Sequence, residues 1–420
     1  MSTFSVRFLG CKVSQADAML IRDALRDAGH VEAAPDVAAV HVVNTCALTV
    51  EAERKSRQQV NRAARAASRT FVTGCAANLN RDQFTGDGVT LVNGSADRVA
   101  QEIVAGLGPA GPLACHDDGR PAGRTRAFVK VQNGCDQRCA FCIIPSTRGG
   151  AESRAREMIL RDARRRIADG HPELVLTGIN IGTWRDPAGR GDLADLVREI
   201  GRLEGVVRLR ISSIEPGDVT PRLVEAMADT PTVADHMHIP LQSGDPAVLA
   251  DMGRSYTIER YLQAVQWARE GLPRLNLTTD AIVGFPTETD AAFARTVDVA
   301  AEVGFGKIHV FPYSPRPGTR ATALGDLVSP EAKSERSRVL RDLSDRLGFA
   351  NRRRRIGTHD AVLIEKPLAD GTLTGYGSDY TRFVLAEGAG TAGELVPVVA
   401  ESLVGDHLLG VPIQQESDRA

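Results

Sequence analysis

Along the first hundred residues, short apolar runs alternate with stretches of helical period. Residues 4–9 read as a strand. Residues 15–28 carry apolar side chains at helical spacing and stop at Gly29, a residue that ends helices readily. Residues 37–44 form a second strand run, 51–67 a second helix, and 71–73 the start of a third strand. Such alternation predicts a doubly wound α/β domain, a parallel sheet with helices on its faces.

Residues 106–123, GLGPAGPLACHDDGRPAG, are rich in Gly and Pro and lack an apolar period, so they read as a linker. Beyond it the strand–helix pattern repeats six times, with strand runs at 127–131, 174–177, 207–211, 236–239, 275–283 and 307–311. Amphipathic stretches such as 153–168 and 258–269 lie between them. Six units are two short of a closed eightfold barrel, so an open (βα)6 partial barrel is expected. A basic helix follows at 330–353. After Gly357 the pattern changes to short strands and Gly-containing turns (361–365, 383–386, 395–399), which predicts a small β-barrel. The expected fold class is α/β, with boundaries at 1–106, a linker at 107–123, a core at 124–329, the basic helix at 330–356 and the terminal barrel at 357–415.

Composition changes this picture little. Hydrophobic residues make up 42% and charged residues 25%, ordinary for a globular protein. No apolar run approaches the ~20 residues of a membrane span, and residues 1–15 lack the pattern of a leader. A cytoplasmic protein with no membrane partner is expected, and its thiols should be ligands, catalysts or packing groups rather than disulfides. Charge is more informative. The net charge of −2 conceals an uneven spread. Residues 333–356 hold nine Lys or Arg against three acids, whereas 357–413 hold two against eight. A second basic stretch, 54–69, has six Lys or Arg. Each basic stretch reads either as a phosphate-binding face or as a solvated helix face.

Of the seven cysteines, Cys135, Cys139 and Cys142 form C-x₃-C-x₂-C directly after the first strand of the sixfold region. Barrel active sites lie at that end of the strands. Three close thiolates can hold three irons of a [4Fe–4S] cluster and leave the fourth open; the duller reading is a structural zinc site missing a ligand. Cys11, Cys46 and Cys75 are far apart in sequence, yet each follows a strand run directly: FSVRFLGC, VHVVNTC and FVTGC. Parallel strands end along one edge, so these thiols can meet there and hold a second cluster, or be three packing cysteines. Cys115, in the linker, reads as an ordinary thiol.

Around these cysteines, LGCKVSQADA, VVNTCALTVEAERKSRQ, VTGCAAN and NGCDQRCAFCIIPSTRGG resemble the radical-SAM methylthiotransferase family, as do LTGINIG, RISSIEP, HIPLQSGD, DAIVGFPTET and HVFPYSPRPGT further on. The resemblance spans nearly the whole chain, and the tail resembles a TRAM domain. It implies two [4Fe–4S] clusters: a radical-generating one on Cys135, Cys139 and Cys142, which binds S-adenosyl-L-methionine, and an auxiliary one on Cys11, Cys46 and Cys75, which carries the sulfur. LGCK-V, NTC-x-L-T and LTGINIG resemble the branch that acts on N6-threonylcarbamoyladenosine at tRNA position 37. Other branches take isopentenyladenosine at the same position or an aspartate of ribosomal protein S12. The acidic tail suits a basic protein substrate better than RNA. A reading from another class is an iron–sulfur redox sensor that binds RNA. The implied partners are tRNA, a flavodoxin- or ferredoxin-like electron donor and an unidentified sulfur donor.

Gly178 follows the second barrel strand, where the resemblance to the wider radical-SAM superfamily implies an approach to the methionine end of the cofactor; a tight turn is an equally good reading. Gln242 and Ser243, after the fourth strand, are candidates for its nucleoside half. Phe141 packs against adenine or against the core. Glu215 pairs with Arg210 or contacts the cofactor. Ser14, Asn78 and Ser146 depart from the pattern the resemblance leads one to expect.

Overall fold

The structure is a computed structural model and describes residues 2–108 and 125–413. The linker expected at 107–123, apart from its first two residues, and Cys115 within it lie outside the described residues.

The amino-terminal domain is a five-stranded parallel sheet in the order Val31–Glu32, Thr3–Phe8, Val40–Thr45, Arg69–Gly74, Val89–Leu91. Successive side chains of a strand point to opposite faces. Val42 therefore meets Ile21, Leu25 and Ile103 of the helices Lys12–Asp27 and Ala96–Leu107, while Val43 meets Val60 and Ala63 of the helix Val50–Ala66. Both faces are covered, as a doubly wound sheet requires.

The core has six parallel strands, Arg126–Lys130, Glu173–Thr177, Arg208–Ile211, His236–His238, Asn276–Val283 and Lys307–Pro312. They lie in chain order as two three-stranded sheets, which isolated bridges at Leu209–Val233 and Ser213–His238 join. The first and last strands do not pair, so the partial barrel is open. Strand alternation sorts its residues sharply. Ala127, Val129, Leu174, Leu176, Leu209, Ile211, Met237, Leu277, Ala281 and Ile308 join the apolar core under the outer helices. The intervening positions, among them Arg126, Lys130, Glu173, Arg208, Arg210, His236, His238, Asp280 and His309, face the lumen.

A short antiparallel ladder between Gln132–Asn133 and Glu152–Ser153 brackets the cysteine triplet. It has no counterpart in the strand pattern of the sequence, because two-residue strands carry no period.

The terminal region is a closed five-stranded barrel of His359–Pro367, Leu373–Tyr376, Arg382–Leu385, His407–Pro412 and Leu395–Val404, in that order. It plugs the end of the lumen where the core strands begin. Arg208 and Arg210 donate to the carbonyls of Tyr376, Gly377 and Ser378 at 2.8–3.2 Å. Beneath them Glu173, 1% exposed, takes the Nε of Arg210 at 2.9 Å and lies within 3.7 Å of Arg126 and Arg208.

These contacts revise the charge reading. Asp360 and Asp379 are buried and pair with Arg355, and Glu365 pairs with Arg126. Three of the barrel's eight acids are thus engaged in ion pairs with two arginines. The helix Pro330–Arg354 likewise turns Lys333 and Arg336 inward, the latter onto Glu288 at 2.7 Å. Arg338, Arg341, Arg346, Arg353 and Arg354 remain exposed.

Candidate functional site

The strands Thr3–Phe8, Val40–Thr45 and Arg69–Gly74 are neighbours, so the residues that follow them share one edge. Cys11 is exposed there, while Cys46 and Cys75 are buried. The three thiols are electrostatic neighbours, and burial raises the pKa of Cys46. Gly10 has φ of +110°, and a Cβ on it would stand 2.7 Å from the Cys46 sulfur, so the loop admits no side chain at that position. The Leu48 N–H donates to that sulfur at 3.4 Å, and Ser56 Oγ accepts from the Cys46 N–H at 3.0 Å.

The triplet Cys135, Cys139 and Cys142 lies on the loop after the first core strand, on the same side of the molecule. Gly134 is left-handed, and any Cβ there would collide with the Gly150 carbonyl. The Gln137 N–H donates to the Cys135 sulfur at 3.4 Å. Burial pushes the Cys142 thiol up to about 11, with Cys139 and Cys135 nearby adding to the shift. The short helix Ile144–Arg148 then crosses to the amino-terminal domain. Arg148 donates from Nε to the Cys75 sulfur at 3.2 Å and from Nη1 to Asp17 at 2.9 Å, and Asn78 donates to the Thr147 carbonyl at 2.7 Å. Arg254 donates to the Cys139 sulfur at 3.0 Å and pairs with Glu215.

Two groups of three thiols, free of disulfides among the described residues, thus flank one seam between domains. Each receives N–H donors on sulfur, as thiolates bound to iron would. Three sulfurs per group suit a [4Fe–4S] cluster that leaves one iron open.

The other sequence candidates separate. Gly178 packs closely, since a Cβ would stand 2.8 Å from Ile181 and 2.9 Å from the Gln132 carbonyl. Gln132 accepts from the N–H groups of Ile179 and Asn180 and donates to the carbonyls of Asn133 and Gly134. It ties the turn at Gly178 to the cysteine loop. Gln242 has φ of +62°, and its half-buried side chain makes no hydrogen bond among the described residues. Ser243 is fully buried, with its hydroxyl bonded to Thr296 and to the Asp245 N–H, so it braces the turn instead of facing a ligand. Glu215 pairs with Arg254, and Arg210 takes Glu173 instead. Phe141 packs on the cluster of Ala140, Val248 and Phe285. Ser14 lies buried with Oγ 3.8 Å from the Cys11 sulfur, Asn78 bridges the domains as described, and Ser146 is exposed.

Several site residues were not singled out by sequence. Arg148, Arg254 and Gln132 lie in loops or short elements whose partners are distant in the chain. The lumen residues carry a signal that could have found them: a polar side chain at both ends of RAFVK and ELVLT and at every second position of RLRI and HMH. His238 Nε2 is 3.4 Å from Asp280, and the potential metal-ligating atoms of His238, Asp280 and His309 lie within 4.8 Å of one another. Lys12, first residue of its helix, lies within electrostatic range of Arg126, Arg210, Asp280 and Glu173. It is open to solvent, yet desolvation lowers its pKa, with Arg126 and Arg210 adding to the effect.

Among the described residues, no helix is long and apolar enough to cross a membrane. Residues 129–300 match the radical SAM superfamily, and residues 3–93 match the uncharacterized protein family UPF0004. The chain is 34% identical to the threonylcarbamoyladenosine tRNA methylthiotransferase MtaB of Thermotoga maritima, covering 91% of both chains. It is 36% identical to that of Bacillus subtilis over 83% of this chain and 81% of the relative. A tRNA-2-methylthio-N(6)-dimethylallyladenosine synthase of Parafrankia is 34% identical over 90% of this chain and 82% of the relative. Among solved structures, the radical S-adenosylmethionine methyltransferase TsrM of Kitasatospora setae superposes with a TM-score of 0.55 at 15% identity, covering 76% of this chain and 74% of that one, a likeness of fold alone. With two cysteine groups on one seam and relatives at this identity along most of its length, the chain belongs to the radical S-adenosylmethionine methylthiotransferase family.

Proposed function

We propose that this protein inserts a methylthio group at C2 of N6-threonylcarbamoyladenosine at position 37 of tRNA. The observation that carries the reading is its similarity to relatives named for that activity, at 34–36% identity over 83–91% of the chain. Cys135, Cys139 and Cys142 would hold one [4Fe–4S] cluster, and Cys11, Cys46 and Cys75 the other. When bound, these clusters would supply the electron for cleavage of S-adenosylmethionine and the sulfur for transfer. The chain positions these groups. Gln132 holds the cysteine loop against the turn at Gly178, Arg148 and Arg254 keep a positive charge on a sulfur of each group, and Gln242 offers an uncommitted amide beside the lumen. The exposed arginines of the helix Pro330–Arg354 would take tRNA phosphates.

A second reading, isopentenyladenosine in the same tRNA position, has relatives at 31–34% identity. Identity separates the two poorly. The histidines and charged groups of the lumen favour the polar threonylcarbamoyl substituent over an apolar one.

Anaerobic turnover with S-adenosylmethionine, reductant and sulfide, followed by nucleoside mass spectrometry, tests the choice. tRNA bearing the threonylcarbamoyl nucleoside should gain one methylthio group, while isopentenyl tRNA and ribosomal protein S12 in parallel reactions should not. Modification of either of those instead would reject the assignment.

A further inference from the structure

Within the lumen the positive charges are, with one exception, already spent. Arg126 is held by Glu173, Glu365 and Tyr380. Arg208 and Arg210 serve Glu173 and the carbonyls of the terminal barrel. Lys130 and Arg148 share Asp17. Lys12 makes no hydrogen bond or ion pair among the described residues, although Asp280 and Glu173 are within electrostatic range. Asp280 is engaged with His238 at 3.4 Å. Lys12 is thus the cation of this recess that lacks an ion pair among the described residues, and it also lies within electrostatic range of His236 and His309. Its ammonium sits one residue after Cys11, on the edge that carries the amino-terminal thiols, and within electrostatic range of Asp280 and Glu173 on the core strands.

We propose that Lys12 binds the carboxylate of the substrate nucleoside's N6 side chain, in a recess that His238, Asp280 and His309 line, and so selects an amino-acid-bearing adenosine over one with an apolar substituent. The inference rests on the threonylcarbamoyladenosine reading above. A carboxylate supplies the ion-pair partner that Lys12 lacks, and the hydroxyl and urea groups of such a side chain find polar partners in the imidazoles and Asp280. An apolar substituent would strip water from the ammonium and return nothing.

The test compares the holoenzyme with its K12M and K12R variants on two anticodon stem–loops. One bears threonylcarbamoyladenosine, the other the same nucleoside with its carboxylate replaced by a carboxamide. The wild type should prefer the carboxylate by about 10- to 100-fold in kcat/KM, mainly through KM, as expected for a charged hydrogen bond. K12M should treat both alike, K12R should keep most of the preference, and iron content should stay at the wild-type level in both. An undiminished preference in K12M would reject the role of Lys12 alone, the proposed activity still standing. Loss of iron in both variants would give Lys12 to cluster assembly, and a divalent ion other than iron, lost in H238A, would give the recess to a metal; either overturns the proposal. A wild type that modifies neither stem–loop would bring down the activity and this inference together.

Discussion

Arg148 Nε lies 3.2 Å from the sulfur of Cys75, although 73 residues separate them in the chain. The same guanidinium is anchored on Asp17 and Asn133. Arg254 repeats the arrangement on the other side of the seam, 3.0 Å from the Cys139 sulfur and anchored on Glu215. Each group of thiols therefore receives one cation that a carboxylate holds in place. Burial raises the pKa of Cys46 and Cys142, and the nearby charges of Arg148 and Arg254, respectively, oppose that shift.

Hydrogen bonds and positive charge at a cluster's sulfurs raise its reduction potential. The R148M variant, reconstituted with two clusters, should show one potential displaced to more negative values and the other unchanged. Potentiometric titration followed by electron paramagnetic resonance checks this. R254M should displace the opposite one. Equal shifts of both potentials in either variant would contradict separate assignments.

The two cysteine groups should fail separately. C139A should keep roughly half the iron and release no 5′-deoxyadenosine. C46A should also keep roughly half, still release 5′-deoxyadenosine, and make no methylthio product. Iron analysis with product chromatography reads both. Full product from C46A would remove that group from the reaction.

Burial holds the Cys142 thiol at about 11, against an ordinary 9.0. Below pH 9 the thiol is protonated in the folded and unfolded apoprotein alike, and its contribution to stability is fully present. As pH rises from 9 through 11, the unfolded chain loses the proton first and gains on the folded form. Urea midpoints of the apoprotein should fall across that window, by an amount worth at most about 2 kcal/mol from this group. C142A should flatten the slope, and a slope of opposite sign would show that the thiol is not protonated by burial.

Arg353 and Arg354 end the helix Pro330–Arg354 and are exposed. If they meet tRNA phosphates, the double variant R353A/R354A should weaken binding and reduce the slope of log K against log salt by about 0.7–0.9 per lost contact. Filter binding between low and moderate salt measures it. An unchanged slope would leave these arginines as a solvated helix end.

Much of this fold was legible because its signals are local. The strand runs, the helix stops and the C-x₃-C-x₂-C spacing each lie within a few residues, and six parallel strands in chain order follow from their repetition. The strand-end positions of Cys11, Cys46 and Cys75 predicted a shared edge for the same reason: in a parallel sheet, sequence order already says which end of each strand faces which way.

The partners of the charged groups were not legible. Glu215 could be matched with Arg210 on proximity in sequence, but Arg210 points into the lumen toward Glu173 and leaves Glu215 to Arg254. The tail's acidity suggested a repulsive surface for RNA, yet Asp360 and Asp379 pair with Arg355 at the end of the preceding helix and Glu365 pairs with Arg126 of the core. Ser243 has the polarity of a ligand contact and the burial of a brace.

By itself, then, the sequence determined the three-part α/β architecture, the two groups of cysteines and the end of each sheet on which they sit, since all of these depend on local period and chain order. Only the tertiary structure decided which guanidinium meets which sulfur, which acids are ion-paired, and that Lys12 lacks an ion pair among the described residues. Those are properties of side chains brought together across 70 to 250 residues of chain by domain packing, and electrostatic pairing depends on distance and burial, which no spacing along the sequence encodes.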